Sequence, residues 1–327
     1  MKIIFMGTPE FAVGTLKACI EHHEVIGVFT QPDKPKGRGK QMSMPPIKEV
    51  ALEHDIPVFQ PDKIKKGDWT ALIKDLKPDC IVVVAYGQIL SKAILDIPKY
   101  GCINVHASLL PRLRGAAPIN WAIVNGDKES GVTTMLMDVG LDTGDMLLKD
   151  VIAIDSQMIA GELHDQLAAM GAQLLVNTLR GLEDGSIKPE KQDEALATYA
   201  SMLNKDLAKV DWQKHASEIN NLIRGFNPWP VAHTLYQDKT LKIFRANVLG
   251  QSDLDEIEVE AYKDKVNGTI FAVRKNSILV KAESSILELL EIQLSHFPRI
   301  LSYFPYPLLP NKPMPSCHEL LRFQDAS

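Results

Sequence analysis

Lys2-Ile3-Ile4-Phe5-Met6-Gly7-Thr8-Pro9-Glu10 is the stretch from which the architecture is read. The apolar start is the length of one buried strand. Gly7 breaks it, Thr8 stands where a helix is capped, and Pro9 fits a first helical turn, where its missing N–H has no partner to lose. The spacing predicts a helix over Glu10–His22 and a second strand over Val25–Thr30. The alternation continues outward. Helices are expected at Pro46–His54, Trp69–Leu76, Pro118–Asn125 and Ile159–Glu183, and strands at Val58–Phe59, Cys80–Ala85, Gly101–His106 and Val132–Asp138. Cys80–Ala85 is apolar throughout, as in a strand covered on both faces. Such alternation implies an α/β fold with a doubly wound, Rossmann-like, mostly parallel sheet. Ligands of these sheets sit beyond the carboxyl ends of the strands, here just after Met6, Ala85 and Val105.

At 327 residues the chain is long for one core, and two domains are expected. The catalytic part is placed at 1–188 and a linker at 189–205, where periodicity fades through Pro189-Glu190-Lys191-Gln192-Asp193-Glu194-Ala195. The remainder, 206–327, is expected to hold a helix at Trp212–Phe226, stopped by Asn227-Pro228-Trp229-Pro230, and then five short strands. That pattern suggests a small closed β-barrel of the oligonucleotide-binding type. Net charge is −5, which argues against a protein that coats nucleic acid non-specifically. No apolar run approaches bilayer length and the opening runs directly into a strand, so a cytoplasmic location is expected. Cys19, Cys80, Cys102 and Cys317 have neither metal-ligand nor redox spacing and are read as reduced thiols.

Three segments could carry chemistry. The turn at Gly7 has the setting of a dinucleotide site but lacks the three spaced glycines, and Pro9 and Phe11 occupy positions where backbone would approach a pyrophosphate. It is read as a tight turn. In Cys102-Ile103-Asn104-Val105-His106-Ala107-Ser108-Leu109-Leu110-Pro111, strand alternation puts Asn104 and His106 on one face. Two polar side chains there either close a loop structurally or form a functional pair. Met137-Asp138-Val139-Gly140-Leu141-Asp142-Thr143-Gly144-Asp145 is rich in Gly and Asp, but its spacing is not that of a calcium loop. Taken alone, it reads as a turn capped by its Asp side chains.

Taken together, Asn104–Arg112 with Arg114-Gly115, followed by Asp138–Asp145, resemble the folate-dependent formyltransferases. That resemblance implies a catalytic trio of Asn104, His106 and Asp142, acting on the formyl group of 10-formyltetrahydrofolate without a metal. It places folate contacts at Ser108, Leu109, Leu110 and Pro111, with Tyr86, Gly87, Val139 and Gly140 beside them. The chemistry suits these residues. Asn104 and the His106 imidazole can steady the oxyanion formed when an amine attacks the formyl carbon. Asp142 can hold the imidazole and take the proton.

The acceptor is read from other segments. Lys34, Lys36, Arg38, Lys40 and Lys48 gather in a short run with only Asp33 opposing them. This is either a solvated loop or one that closes over RNA. That run, Phe5–Ala12 and Phe226–Pro230 resemble the branch of the family whose acceptor is methionyl initiator tRNA, with Arg38 and Lys40 as tRNA contacts and the C-terminal barrel helping to hold the tRNA. Against this, 206–293 carries slightly more acid than base, where a tRNA-binding barrel is expected to be basic. A monomer is expected. The alternatives are a formyltransferase acting on a small amine, such as a nucleotide-linked amino sugar or purine precursor, and a non-enzymatic folate-binding module. Leu294–Pro310, with four prolines and four aromatics, reads as an atypical insertion before the family-like Lys312-Pro313-Met314. It is expected to lie against the barrel by its aromatics, or alternatively to bind a partner or a second copy.

Overall fold

The computed structural model describes residues 1–36, 41–295 and 299–301. Contacts divide these residues into two units. One comprises 1–122, 128–156 and 161–202, and the other 123–127, 157–160 and the chain from 203 onward.

A seven-stranded sheet organises the first unit. Its order is Val58–Phe59, Glu24–Phe29, Lys2–Gly7, Cys80–Val84, Cys102–His106, Glu129–Leu136 and Met146–Ala153. The first five strands are parallel, Glu129–Leu136 pairs antiparallel to the fifth, and Met146–Ala153 pairs antiparallel to Glu129–Leu136. Cys80–Val84 is buried at every position, as its unbroken apolar sequence predicts. Ile4, Met6, Phe29, Ile81 and Val83 meet Ile64, Ile73 and Ile94 in the core on one face. Met146–Ala153 was not expected as a strand. It is an edge strand whose middle residues are exposed, so it shows no apolar alternation. Thr8 does not cap a helix. Its hydroxyl donates to the Tyr86 carbonyl at 3.1 Å, and the turn starts with a short 3-10 segment at Glu10–Ala12 before the helix Val13–His22.

The 190–200 stretch, expected as linker, carries structure of its own. Tyr199-Ala200 pairs in parallel with Arg114-Gly115, and Glu190 bridges to Met146.

In the second unit the helix Ala216–Gly225 packs Ile219 and Ile223 onto Ile243, Ala246, Val280, Leu287 and Leu289. The antiparallel sheet runs His233–Tyr236, Lys239–Leu249, Ser285–Leu294, Ile278–Ala282 and Ile270–Val273. It curls as a half-barrel, and its end strands do not pair among the described residues. Register shifts around Arg245 bend the longest strand, which supplies the curl. Within Leu294–Pro310, Ile300-Leu301 pairs with Glu291-Ile292, and the Arg299 guanidinium lies 3.9 Å from the Phe244 ring centroid. The four aromatics of that segment, and Lys312-Pro313-Met314, lie outside the described residues.

Cys19, Cys80 and Cys102 are buried and unbridged, and burial pushes the Cys19 thiol up to about 12. Cys317 lies outside the described residues. Among the described residues, no helix is long and apolar enough to cross a membrane.

Candidate active site

Asn104 and His106 sit two residues apart on the strand where the sheet changes from parallel to antiparallel pairing. The period of two places them on one face, and both turn toward Asp142. Asn104 Nδ2 donates to Asp142 Oδ1 at 3.4 Å, and His106 Nδ1 faces Asp142 Oδ2 at 3.7 Å. The His106 side chain is 6% exposed and that of Asp142 14%. His106 Nε2 donates to the Leu113 carbonyl at 3.0 Å. A carbonyl only accepts, so Nε2 carries its hydrogen and Nδ1 is the position free to gain or release a proton.

Asp142 arrives on the loop after Glu129–Leu136. This strand runs against Cys102–His106, so the loop begins beside Cys102, where Met137 N donates to the Cys102 carbonyl at 2.8 Å, and then folds back. Of the loop's acids, Asp138 is a turn cap, its Oδ1 accepting from Gly140 N at 2.9 Å and Thr143 Oγ1 at 2.6 Å. Asp142 has φ +53°, a left-handed conformation that Asp tolerates better than most residues. That conformation turns its carboxylate toward Asn104 and His106, and its Oδ2 also accepts from Gly115 N at 2.8 Å. Gly144 makes the return possible, because a Cβ there would lie 1.8 Å from the Leu136 carbonyl oxygen. Among the described residues, no cluster of three or more His, Cys, Asp or Glu side chains could hold a metal ion.

The expected folate contacts fall into two groups. Tyr86, Ser108, Leu110 and Pro111 are buried. Tyr86 packs into the sheet core, and Leu110 packs with Met135 and Met146. Ser108 Oγ donates to the Arg112 carbonyl at 2.7 Å, and the Ser108 carbonyl accepts from Thr133 Oγ1 at 2.7 Å. These residues shape their loops from within. Gly87, Val139 and Gly140 are exposed and Leu109 half-buried. Arg38 and Lys40 lie outside the described residues, and the hairpin that brackets them pairs Lys34–Lys36 with Gln41–Ser43.

Sequence reasoning missed Gln192, Glu194 and the role of Arg114. Arg114 is fully buried, and its guanidinium forks onto Glu194 at 2.9 and 2.7 Å. Gln192 Nε2 reaches the carbonyls of Asp142 at 2.7 Å and Gly144 at 2.8 Å. Side-chain-to-backbone bonds of this kind leave no periodic trace in a sequence.

Two family models match the chain: "Formyl transferase" over residues 1–179 and "Formyl transferase, C-terminal domain" over 202–300. A methionyl-tRNA formyltransferase from Clostridium novyi (strain NT) is 55% identical over 294 residues, covering 90% of this chain and 92% of that protein. The chain belongs to the methionyl-tRNA formyltransferase family. Another relative of that name, from Clostridioides difficile (strain 630), is 50% identical and covers 92% of this chain and 94% of its own. The formyltransferase fold extends to far more divergent proteins. WlaRD, a sugar 3N-formyl transferase solved with dTDP and 5-N-formyl-THF, superposes with a TM-score of 0.64 at 19% identity over 91% of this chain and 99% of its own. The N-formyltransferase from Helicobacter canadensis, complexed with folinic acid and dTDP-3-aminofucose, gives 0.65 at 18% identity over 88% and 98%.

Proposed function

We propose that the chain transfers the formyl group of 10-formyltetrahydrofolate to the amino group of methionyl initiator tRNA, with Asn104, His106 and Asp142 carrying the reaction. The observation that supports this most directly is the convergence of Asn104 and His106 on one carboxylate, Asp142, which is itself held by the Gly115 amide.

The attacking amine must lose a proton and the departing folate nitrogen must gain one. One group that accepts and then returns a proton serves both steps. His106 Nδ1, facing the Asp142 carboxylate, has that capacity. Its Nε2, held on the Leu113 carbonyl, is not available to the oxyanion, so the proton role expected of Asp142 is assigned instead to His106, with Asp142 supporting its charge. Asn104 Nδ2 is a donor on the same face, able to stabilise the negative charge that develops on the formyl oxygen; one such donor is worth ~3–4 kcal/mol where measured. A carbon–nitrogen bond to the amine forms and the bond to folate N10 breaks, with no enzyme-bound acyl group. Gly87, Leu109, Val139 and Gly140 are assigned to the folate face. Tyr86, Ser108, Leu110 and Pro111 are assigned to holding those loops in shape. Arg38 and Lys40 are assigned to tRNA contact, supported by the local concentration of basic residues.

Purified protein given formyl-folate with charged initiator tRNA, with a free amino sugar, and with buffer alone tests the reading. Transfer to the tRNA alone is expected. Equal or better transfer to the amino sugar refutes the assigned acceptor, and no transfer to either refutes the enzyme.

A further inference from the structure

Residues 190–200 follow the long helix Ala160–Glu183 and have no apolar periodicity, yet they reach Asp142 directly and His106 through Leu113. Gln192 Nε2 donates to the carbonyls of Asp142 and Gly144, and its Oε1 accepts from Arg114 Nε at 3.0 Å. Arg114 is the neighbour of Gly115, whose N–H holds the Asp142 carboxylate. Arg114 N donates to the Thr198 carbonyl at 2.8 Å and Ala116 N to the Ala200 carbonyl at 2.9 Å, so Gly115 is clamped on both sides. Only glycine allows that approach, since a Cβ on Gly115 would lie 2.8 Å from the Ala200 carbonyl oxygen. Thr198 Oγ1 accepts from Leu113 N at 2.9 Å, and Leu113 is the residue whose carbonyl fixes His106.

Leu113 has φ +58° and Asp142 has φ +53°. For a side chain such as Leu113 this conformation costs ~1–2 kcal/mol and persists only where its surroundings enforce it, whereas Asp142 adopts it more readily. Both residues are tied to the 190–200 segment, Leu113 through its N–H and Asp142 through its carbonyl. The two left-handed residues are also the ones that orient His106 and present the carboxylate.

We infer that residues 190–200 form a positioning strap for formyl transfer, with Gln192 as its central residue, acting through Asp142. The inference rests on the assignment of Asp142 made above. Gln192 touches no reacting atom. It sets where the carboxylate stands, and Glu194, through the buried Arg114 guanidinium, holds Gln192 in place.

A double-mutant cycle tests it, with the rate of formyl transfer to charged tRNA as the readout on the full chain. Gln192→Leu keeps the volume but removes both donors. Displacement of the carboxylate is expected to lower kcat by ~10- to 100-fold. The KM for tRNA should stay within about twofold and that for folate should change far less than kcat, because Gln192 holds the Asp142–Gly144 end of the loop and not Val139 and Gly140. In an Asp142→Asn background the same change should cost less than about twofold, since a residue acting through Asp142 has nothing left to position. Glu194→Ala, at the exposed end of the strap, removes the carboxylate partner of the buried Arg114 guanidinium; run through the same cycle with thermal unfolding measured alongside, it decides the matter if Gln192→Leu does not fold. Unchanged kcat in both strap variants overturns the inference. So does a loss that multiplies in full with that of Asp142→Asn, which marks a general structural defect and leaves the Asp142 assignment standing. An unimpaired Asp142→Asn overturns that assignment and the inference with it.

Discussion

Replacing Asp142 by Asn removes a charge while conserving shape. Asn tolerates the left-handed backbone at this position, and its Oδ1 can still accept from the Gly115 amide, so the loop should keep its path. What disappears is the negative charge 3.7 Å from His106 Nδ1 at the moment the imidazole takes the amine's proton. At an effective dielectric of about 20, a unit pair at that separation is worth roughly 4 kcal/mol, and residual solvent access brings the differential to roughly 3–4 kcal/mol. With each ~1.4 kcal/mol counting tenfold, the expected fall in kcat is ~10²- to 10³-fold. The assay is single-turnover formylation of charged tRNA at saturating folate, with folate binding by fluorescence and thermal unfolding measured on the same sample. Folate affinity and the unfolding midpoint should stay close to wild type. A variant that keeps more than half the wild-type rate shows that the carboxylate is a structural anchor for the loop and carries no charge-dependent step.

His106→Ala and Asn104→Ala should each reduce turnover by at least ~10²-fold without loss of folate binding. Retention of half the rate by either removes that residue from the reaction. Arg38→Ala should raise the KM for charged tRNA and leave the folate dependence unchanged, because guanidinium contacts to phosphate and unpaired bases act only on the RNA. Equal effects on both substrates would mean a global defect. In the second unit, the Arg274 guanidinium, bonded to Glu258 at 2.8 and 2.7 Å, holds that carboxyl below its ordinary 4.5. Its contribution to stability is therefore complete above pH ~4.5 and disappears as pH falls through the lower folded-state value. Denaturant titrations across that window should show an acid loss that shrinks in Arg274→Ala, which should also cost about 1–2 kcal/mol at pH 7, since Glu258 then keeps only the Asp255 N–H as its partner. Identical pH slopes in the two proteins would refute the pairing.

The parallel half of the sheet was legible because its strands are apolar throughout and separated by helices, so period and length agree. Asn104 and His106 were legible as a pair for the simpler reason that side chains two apart on a strand share a face. The partner that joins them was not derivable from pattern. Asp138, Asp142 and Asp145 look alike in sequence, and only the path of the loop separates the turn cap from the residue facing His106. The edge strand Met146–Ala153 escaped notice because solvent covers its middle, and without a buried face there is no alternation to read. Residues 190–200 looked like linker because they fold by donating and accepting single hydrogen bonds to loop carbonyls and a buried arginine, and such bonds impose no repeat on the residues between them. Tyr86 shows a further limit. Its ring is in the core, which no pattern in the sequence distinguishes from a ligand-facing one.

The reach of the 190–200 segment back to Asp142 bears on where this chain can be cut. A fragment ending with the long helix at Glu183 retains Asn104, His106 and Asp142 and all seven strands of the sheet. It nevertheless discards Gln192, Glu194, Thr198 and the strand partner of Arg114-Gly115, stranding a buried guanidinium without its carboxylate. A fragment carried through Met202 keeps those attachments. The boundary for a minimal domain therefore falls well past the last element that secondary structure alone would recommend, and limited proteolysis that nicks the chain between Ile187 and Tyr199 should silence the site without separating any two of its three central residues in sequence.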